Sequence, residues 1–388
     1  MAYGSNSSTF STHLFCFSHL RWSFVYQRPQ HLMSRAAREY STWYVEEPEY
    51  FEGPPVLRIK RDDSGVSVVT PLLPAGQRLD ADEQLSSMLT RLLTKVRPKR
   101  LISWYYTPMA LRFTKGLEPH RCVYDNMDEL SNFAGAPPGI LEMEQTLLSK
   151  CHVVFVGGHS LYQAKRARHE NIHVFPSSVD AAHFRQARMI CEDPVDQRSI
   201  PHPRLGFFGV IDERMDLDLV REVAARRPQW RLVMIGPIVK IDPGSLPRAD
   251  NIHWLGCKDY RELPHYLSGW DVGFMPFAIN EATRFISPTK TPEFLAAGIP
   301  VVSTPIADVA DPYGSAGLVE IADDADSVIA RVEMILRRKR APWLKAVDAF
   351  LDGMSWDDTW AGMRRELDAF IPDRHASDRQ MNAEARRV

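Results

Sequence analysis

Short apolar runs alternate with longer segments of helical period along almost the whole chain, and this alternation most narrows the fold. Runs such as Val153–Val156 and Val272–Met275 are too short for helices and too evenly apolar for half-exposed strands. They belong in parallel sheets covered on both faces by crossover helices, so the expected class is α/β. In the first half the pattern predicts strands near His13–Ser18, Trp43–Glu46, Leu101–Tyr105, Arg121–Tyr124, Val153–Val156 and Ile172–Phe175, with helices near Pro29–Glu39, Ala81–Val96 and Pro138–Ser149. In the second half strands fall near Arg204–Phe208, Trp230–Ile235, Ile252–Leu255, Val272–Met275, Pro300–Ser303 and Leu318–Ile321. Helices there are expected near Leu217–Ala225, Tyr260–Leu267, Thr291–Ala297 and Ala325–Arg337.

At 388 residues the chain exceeds one ordinary core, and two domains of roughly 180 residues each follow. Periodicity fades between Ser178 and Pro203, where Pro194, Pro201 and Pro203 collect, as in an interdomain linker. The expected division is an N-terminal domain (1–180), a linker (181–203), a second domain (204–353), a closing helix (354–373) and a polar tail (374–388). The closing helix, near Trp356–Phe370, carries a Trp356, Trp360 and Met363 stripe that fits either domain.

A net charge of −2 disfavours a dedicated nucleic-acid binder, which would be visibly basic. The Ser-rich start, Met1 to Thr12, lacks the order of a signal peptide, and no run approaches the roughly 18 apolar residues of a membrane span. Cys16, Cys122, Cys151, Cys191 and Cys257 are scattered without a CxxC, which reads as reduced cytoplasmic thiols. No HxxxH, Cys/His cluster or strand-end DxD appears, and Asp323-Asp324-Ala325-Asp326 reads as a turn with a helix cap. No metal site is expected.

The segment Arg284 to Thr304 carries the most chemistry. Ser287-Pro288 opens a short helix, Gly298 closes it, and a buried strand follows. A helix start presents unpaired N–H groups and partial positive charge, which attract phosphate. Lys290 adds a full charge in the first turn. Glu293, one turn on, can accept hydrogen bonds from a ribose diol. A cation for diphosphate and an anion for ribose, one turn apart, outline a nucleotide-sugar site.

Further segments carry a resemblance. They are Phe17-Ser18-His19-Leu20-Arg21-Trp22 with Gln27-Arg28-Pro29-Gln30-His31-Leu32, Tyr124-Asp125-Asn126-Met127-Asp128-Glu129-Leu130, Phe175-Pro176-Ser177-Ser178-Val179-Asp180 with Phe184, Gly206-Phe207-Phe208-Gly209, and Ser355-Trp356 with Trp360. In this order the chain resembles a nucleotide-sugar-dependent glycosyltransferase of the GT-B architecture, two Rossmann-like domains facing across a cleft. It is nearest in pattern to the bacterial family 4-type enzymes of surface-polysaccharide synthesis, from about Leu14 to Phe370. It departs from them where the first of two glutamates with seven residues between them would stand, because Phe285 is there and Glu281 is displaced. The Asp128-Glu129 pair is similar to the inverting xanthan-type glucuronosyltransferases.

The resemblance implies transfer from a nucleotide sugar, UDP-linked, to a hydroxyl of a glycan or lipid-linked acceptor, with no cofactor and no nucleic-acid partner. Lys290 and Arg214 would neutralise the departing diphosphate; Arg214 also reads as a salt-bridge partner of Asp212 or Asp216. Glu293 would hold the ribose, and the loop around Cys257-Lys258 the base. Gly209, Ser287 and Thr289 complete the expected donor contacts. Asp128 is the candidate general base, its pKa raised by partial burial beside a second acid; the same pair also reads as a helix cap. His19, Trp22, Arg28 and His31 would face the acceptor, with Trp104, Tyr105 and Tyr106 as further stacking candidates or core residues. The helix over Leu85–Arg100 mixes an apolar stripe with Arg91, Lys95, Arg97, Lys99 and Arg100, a pattern that can rest on an anionic inner membrane. The rival readings are a UDP-sugar 2-epimerase of the same fold and a non-catalytic glycan-binding protein. A nicotinamide dehydrogenase is disfavoured, since no GxGxxG follows either first strand.

Overall fold

The computed structural model describes residues 10–76, 78–190 and 192–369. The start of the Ser-rich segment, Cys191, Phe370 and the polar tail lie outside the described residues. One sheet contains β1 (Thr12–Phe17), β2 (Ser41–Val45), β3 (Glu49–Phe51), β4 (Val56–Arg61), β5 (Ser67–Pro74), β6 (Arg100–Tyr105), β7 (Arg121–Asn126), β8 (Val153–Val156) and β9 (Ile172–Val174). Their order is β3-β5-β2-β1-β6-β7-β8-β9, with β4 antiparallel on β5. A second, parallel sheet runs β12-β11-β10-β13-β14-β15. It is built from β10 (Arg204–Phe208), β11 (Arg231–Ile235), β12 (Ile252–Gly256), β13 (Val272–Met275), β14 (Val301–Ser303) and β15 (Val319–Ile321).

The central strands β1 and β10 are buried almost throughout, which is why they read as continuous apolar runs. Strand order reverses beside each of them, between β1 and β6 and between β10 and β13. Loops leaving the carboxyl ends of such neighbours diverge and open a crevice, the usual ligand position in open α/β sheets. Here the two crevices face each other.

The helix Trp356–Asp368, capped by the Ser355 hydroxyl, returns to the first domain. Trp356, Trp360, Met363 and Leu367 are buried there with Trp104 and Phe155. Gly362 lets it approach closely, since a Cβ at that position would stand 2.7 Å from the Phe175 ring.

Several segments differ from the sequence reading, among them the unexpected helix His159–Lys165. Strands β3 to β5 were not expected; β4 and β5 form a hairpin turning at Asp62–Gly65, where Gly65 has φ +89°. The stretch read as a linker is packed structure. Residues Ala181–Arg185 form a helix, and Val179, Phe184, Ala187 and Ile200 join the core of the second domain. Its prolines punctuate an irregular packed segment, so the apolar residues show no period. A further helix, Arg340–Phe350, precedes the return helix. The helix Ala81–Val96 spends its apolar stripe on the fold, since Leu85, Met88, Leu89 and Leu92 are buried. Among the described residues no helix is long and apolar enough to cross a membrane.

Candidate functional site

The second domain supplies one wall of the cleft. After β10 the chain turns at Gly209 (φ +145°), and after β11 at Gly236 (φ +146°). A Cβ on Gly236 would fall 1.7 Å from the Gly209 carbonyl oxygen, so the two turns pass in contact. A Cβ on Gly209 would stand 3.1 Å from Lys290 Cε. The bare turn thus leaves room for the lysine stem to lie over it.

Lys290 begins the helix Lys290–Ala297, closed by Gly298 in the left-handed region. Its Nζ donates to Thr289 Oγ1 at 2.9 Å, stands 3.8 Å from Glu293 Oε2 and lies 5.4 Å from the Phe208 ring centre. Glu293 is only 3% exposed, and its Oε2 accepts no hydrogen bond. Burial pushes its pKa up to about 7, against the pull of Lys290 and with a smaller push from Asp180. A buried carboxylate oxygen without a donor is costly and lines an open cleft, which is the condition of a group awaiting a ligand. Ser287, Thr289, Gly209 and the exposed Cys257 share that lining. Arg284 instead points to solvent, beside Glu281.

Arg214 also lines the cleft. Asp212 holds its guanidinium by a fork, with Nε 2.9 Å from Oδ1 and Nη2 2.6 Å from Oδ2. The guanidinium carbon sits 5.4 Å from the Phe133 ring centre. The salt-bridge reading of this arginine holds, with Asp212 as the partner, and the side chain also lines the ligand space.

The first domain supplies the opposite wall. Asp128 follows β7, with its main-chain carbonyl held by Asn126 Nδ2 at 2.8 Å. Its pKa is raised to about 6, first by burial, with Asp212 adding to the rise and Arg214 and Arg28 opposing it. The expected influence of Glu129 is not the cause, because Glu129 is paired with the buried Lys165 at 2.8 Å. Nor does the acidic pair cap a helix: the turn Leu130–Asn132 has no side-chain cap. Asp128 and Arg214 instead influence each other across the cleft.

The four residues expected to face the acceptor divide. Trp22 lines the cleft, its ring edge-on to Tyr44 at 5.0 Å and its main-chain N–H donating to Glu46 at 2.8 Å. Arg28 reaches the lining from a buried position, its guanidinium forked onto Asp125 at 2.8 Å and donating to the Phe175 carbonyl at 2.7 Å. It is a strut rather than a free cation. His31 does not reach the lining. Its ring stacks on Trp356 at 4.6 Å, because the helix Arg28–Ala36 turns that face to the return helix. His19 likewise is not part of the lining. Burial holds its imidazole neutral, with a pKa lowered to about 4, and Lys240 reinforces this. Trp104, Tyr105 and Tyr106 are core residues.

The sequence reading missed Arg58, Lys60 and Asp62 of the β4–β5 hairpin, together with Glu46 and Tyr260, all part of the lining. The hairpin had a signal, a Ser-Gly turn between strands of alternating character. Tyr260 had none beyond its place after β12. The cleft measures about 950 Å³, at the upper end of the range for small-ligand sites. The loop after Asp128 spans it, with Asn132 Nδ2 donating to the Glu281 carbonyl at 3.0 Å and Lys240 to the Ala134 carbonyl at 3.3 Å. Among the described residues no group of three or more His, Cys, Asp or Glu is placed to hold a metal.

Comparison with solved structures places this arrangement. An Escherichia coli structure described as trehalose-6-phosphate bound with UDP-2-fluoro glucose superposes with a TM-score of 0.69 at 12% identity, covering 93% of this chain and all of that one. Sucrose-phosphate synthase from Thermosynechococcus elongatus gives 0.67 at 13% identity, over 91% of this chain and 98% of that one. HepE from Anabaena, in complex with UDP and glucose, gives 0.65 at 13%, over 92% and 99%. The fold is GT-B. Residues 202–338, in the GT-B domain that bears Lys290 and Glu293, match the family described as glycosyl transferases group 1. A Bacillus subtilis protein named as a teichuronic acid biosynthesis glycosyltransferase, TuaH, is 37% identical over 103 residues, 26% of each chain. The match therefore spans about a quarter of that relative's length.

Proposed function

We propose that the chain transfers a sugar from a UDP-linked donor to a hydroxyl of a glycan or lipid-linked acceptor, without a metal or cofactor. The observation that carries this is the pair at the start of the helix Lys290–Ala297: a cation ion-paired at 3.8 Å with a buried carboxylate whose Oε2 accepts no hydrogen bond, both on the cleft wall. As the anomeric bond breaks, charge grows on the departing diphosphate. Lys290, the helix N–H groups and Arg214, oriented by Asp212, meet that charge. Glu293 accepts from the ribose. Asp128 takes the proton from the attacking hydroxyl; a carboxylate whose pKa lies near 6 is a stronger base than an ordinary one and remains mostly ionised at neutral pH. Asp128 as base, with Phe285 where a first glutamate would stand, favours inversion at the anomeric carbon.

A thermal-shift screen with UDP-, GDP- and dTDP-sugars tests the reading, because a ligand that binds the folded state raises its melting temperature. A UDP-sugar should give the largest shift. Lys290→Ala should remove most of it, with UDP affinity falling on the order of 10–100-fold, as for loss of a charge-assisted contact. No shift with any nucleotide sugar would refute the donor site.

For the acceptor, the exposed Arg91, Lys95, Arg97, Lys99 and Arg100 form a basic strip at one end of the first domain. This strip, rather than the buried apolar stripe, would attract an anionic lipid surface at the cytoplasmic face, where a lipid-linked acceptor lies. Sedimentation with anionic vesicles should be salt-sensitive and should weaken when these charges are reversed.

A further inference from the structure

We propose that Tyr260 is a second ligand of the ribose, and that with Glu293 it makes the cleft select nucleotides carrying an intact 2′,3′-diol. This rests on the nucleoside-diphosphate reading above and deepens it.

Two buried oxygen atoms on the donor wall lack hydrogen-bond partners: Glu293 Oε2 and the Tyr260 hydroxyl. Both side chains line the cleft. Glu293 is the strongest charged influence on the Tyr260 phenol, ahead of Asp180. A carboxylate accepts only, whereas a phenol both donates and accepts. A vicinal diol has two donors and several lone pairs, so one hydroxyl can donate to Glu293 while the other exchanges a bond with Tyr260. A phosphate would meet repulsion from Glu293 at this spot; a neutral diol would not.

Packing does not explain the hydroxyl. The ring of Tyr260 stacks on His183 at 4.3 Å and 12°, lies 4.6 Å from Tyr26 and takes Phe184 edge-on at 5.7 Å. The His183 ring hydrogen-bonds the Tyr260 carbonyl at 3.0 Å. The turn beneath is fixed by the reciprocal cap of Asp259 and Glu262. A phenylalanine would keep each of these contacts. The hydroxyl is left over, buried and unpaired, on a residue that lines the cleft. Such a group is costly unless a ligand satisfies it, and a site built around it penalises a ligand lacking the complementary hydroxyl.

The test is calorimetric titration of the full chain with UDP, 2′-deoxy-UDP and 3′-deoxy-UDP, using wild type, Tyr260→Phe and Glu293→Gln. Wild type should bind UDP at least about tenfold more tightly than either deoxy analogue. Tyr260→Phe should weaken UDP several-fold, leave one deoxy analogue within about twofold of its wild-type affinity, and so collapse that one ratio. Glu293→Gln should erode discrimination against the other. If Tyr260→Phe binds UDP and both analogues in the wild-type ratios, the Tyr260 proposal fails while the nucleotide reading stands. If wild type binds no UDP, the nucleotide reading fails and takes this proposal with it.

Discussion

The two walls of the cleft treat their polar side chains differently. On the first-domain wall Arg21, Arg28 and Glu46 are paired, while Asn126 Oδ1 and the Tyr106 hydroxyl behind it lack hydrogen-bond partners. Arg28 is consumed by Asp125 and the Phe175 carbonyl, and Glu46 accepts from Arg21, Trp22 and Thr70. Lys165 is shared by Glu129 and Glu144, and Glu144 also takes Tyr124 and Arg168. On the second-domain wall Glu293 and Tyr260 keep buried oxygens without partners. The first wall is stabilised by its own contacts and holds Asp128 in place. The second holds groups in a condition that only a ligand relieves. Saturated polar networks rigidify, and unsatisfied ones mark where binding free energy is to be gained.

If that contrast is right, the largest changes come from the first wall and appear as stability. Asp125→Asn would leave the Arg28 guanidinium buried without its counter-charge and should cost about 3–5 kcal/mol, measured by denaturant unfolding of the ligand-free protein. An unchanged midpoint would show that this wall is not held by its pairs. Asp128→Asn should instead leave the melting temperature near wild type and lower transfer on the order of 10³-fold, with donor affinity within about twofold. The proton acceptor must be ionised, so wild-type transfer should rise with pH through about 6, and the variant should lose that limb. A wild-type profile retained in Asp128→Asn would assign the base elsewhere.

The contrast also separates what the sequence could and could not disclose. Lys290 and Glu293 were legible because helix-start chemistry is local: Ser287-Pro288, a first-turn cation and a closing glycine lie within a dozen residues. The strands other than β3 to β5 and most of the longer helices were legible for the same reason, their period being a property of neighbours in the chain. Arg28 was not. Its partner Asp125 is 97 positions away, and only the fold turns an apparent cleft cation into a strut. His31 was misplaced because its helix packs on Trp356, over three hundred residues later. Tyr260 carried no local pattern at all; its significance lies in an oxygen left unpaired after everything around it has packed.

The smallest effect expected is at Glu293, and it tests the second wall directly. The group's pKa rises from an ordinary 4.5 to about 7 in the folded chain. Between those values the native state binds more protons than the unfolded state, so Glu293 makes ligand-free stability fall as pH rises, and the loss is complete above about 7. By linkage this amounts to at most about 3 kcal/mol. Glu293→Gln removes the titration. Its melting temperature should match wild type near pH 4.5 and gain on it steadily up to pH 7.5, while the variant binds UDP more weakly. Saturating UDP should close the gap in wild type by giving the carboxylate its donors. A variant less stable than wild type at pH 7.5 without ligand would mean that Glu293 is already satisfied by the fold, and the distinction between the two walls would go with it.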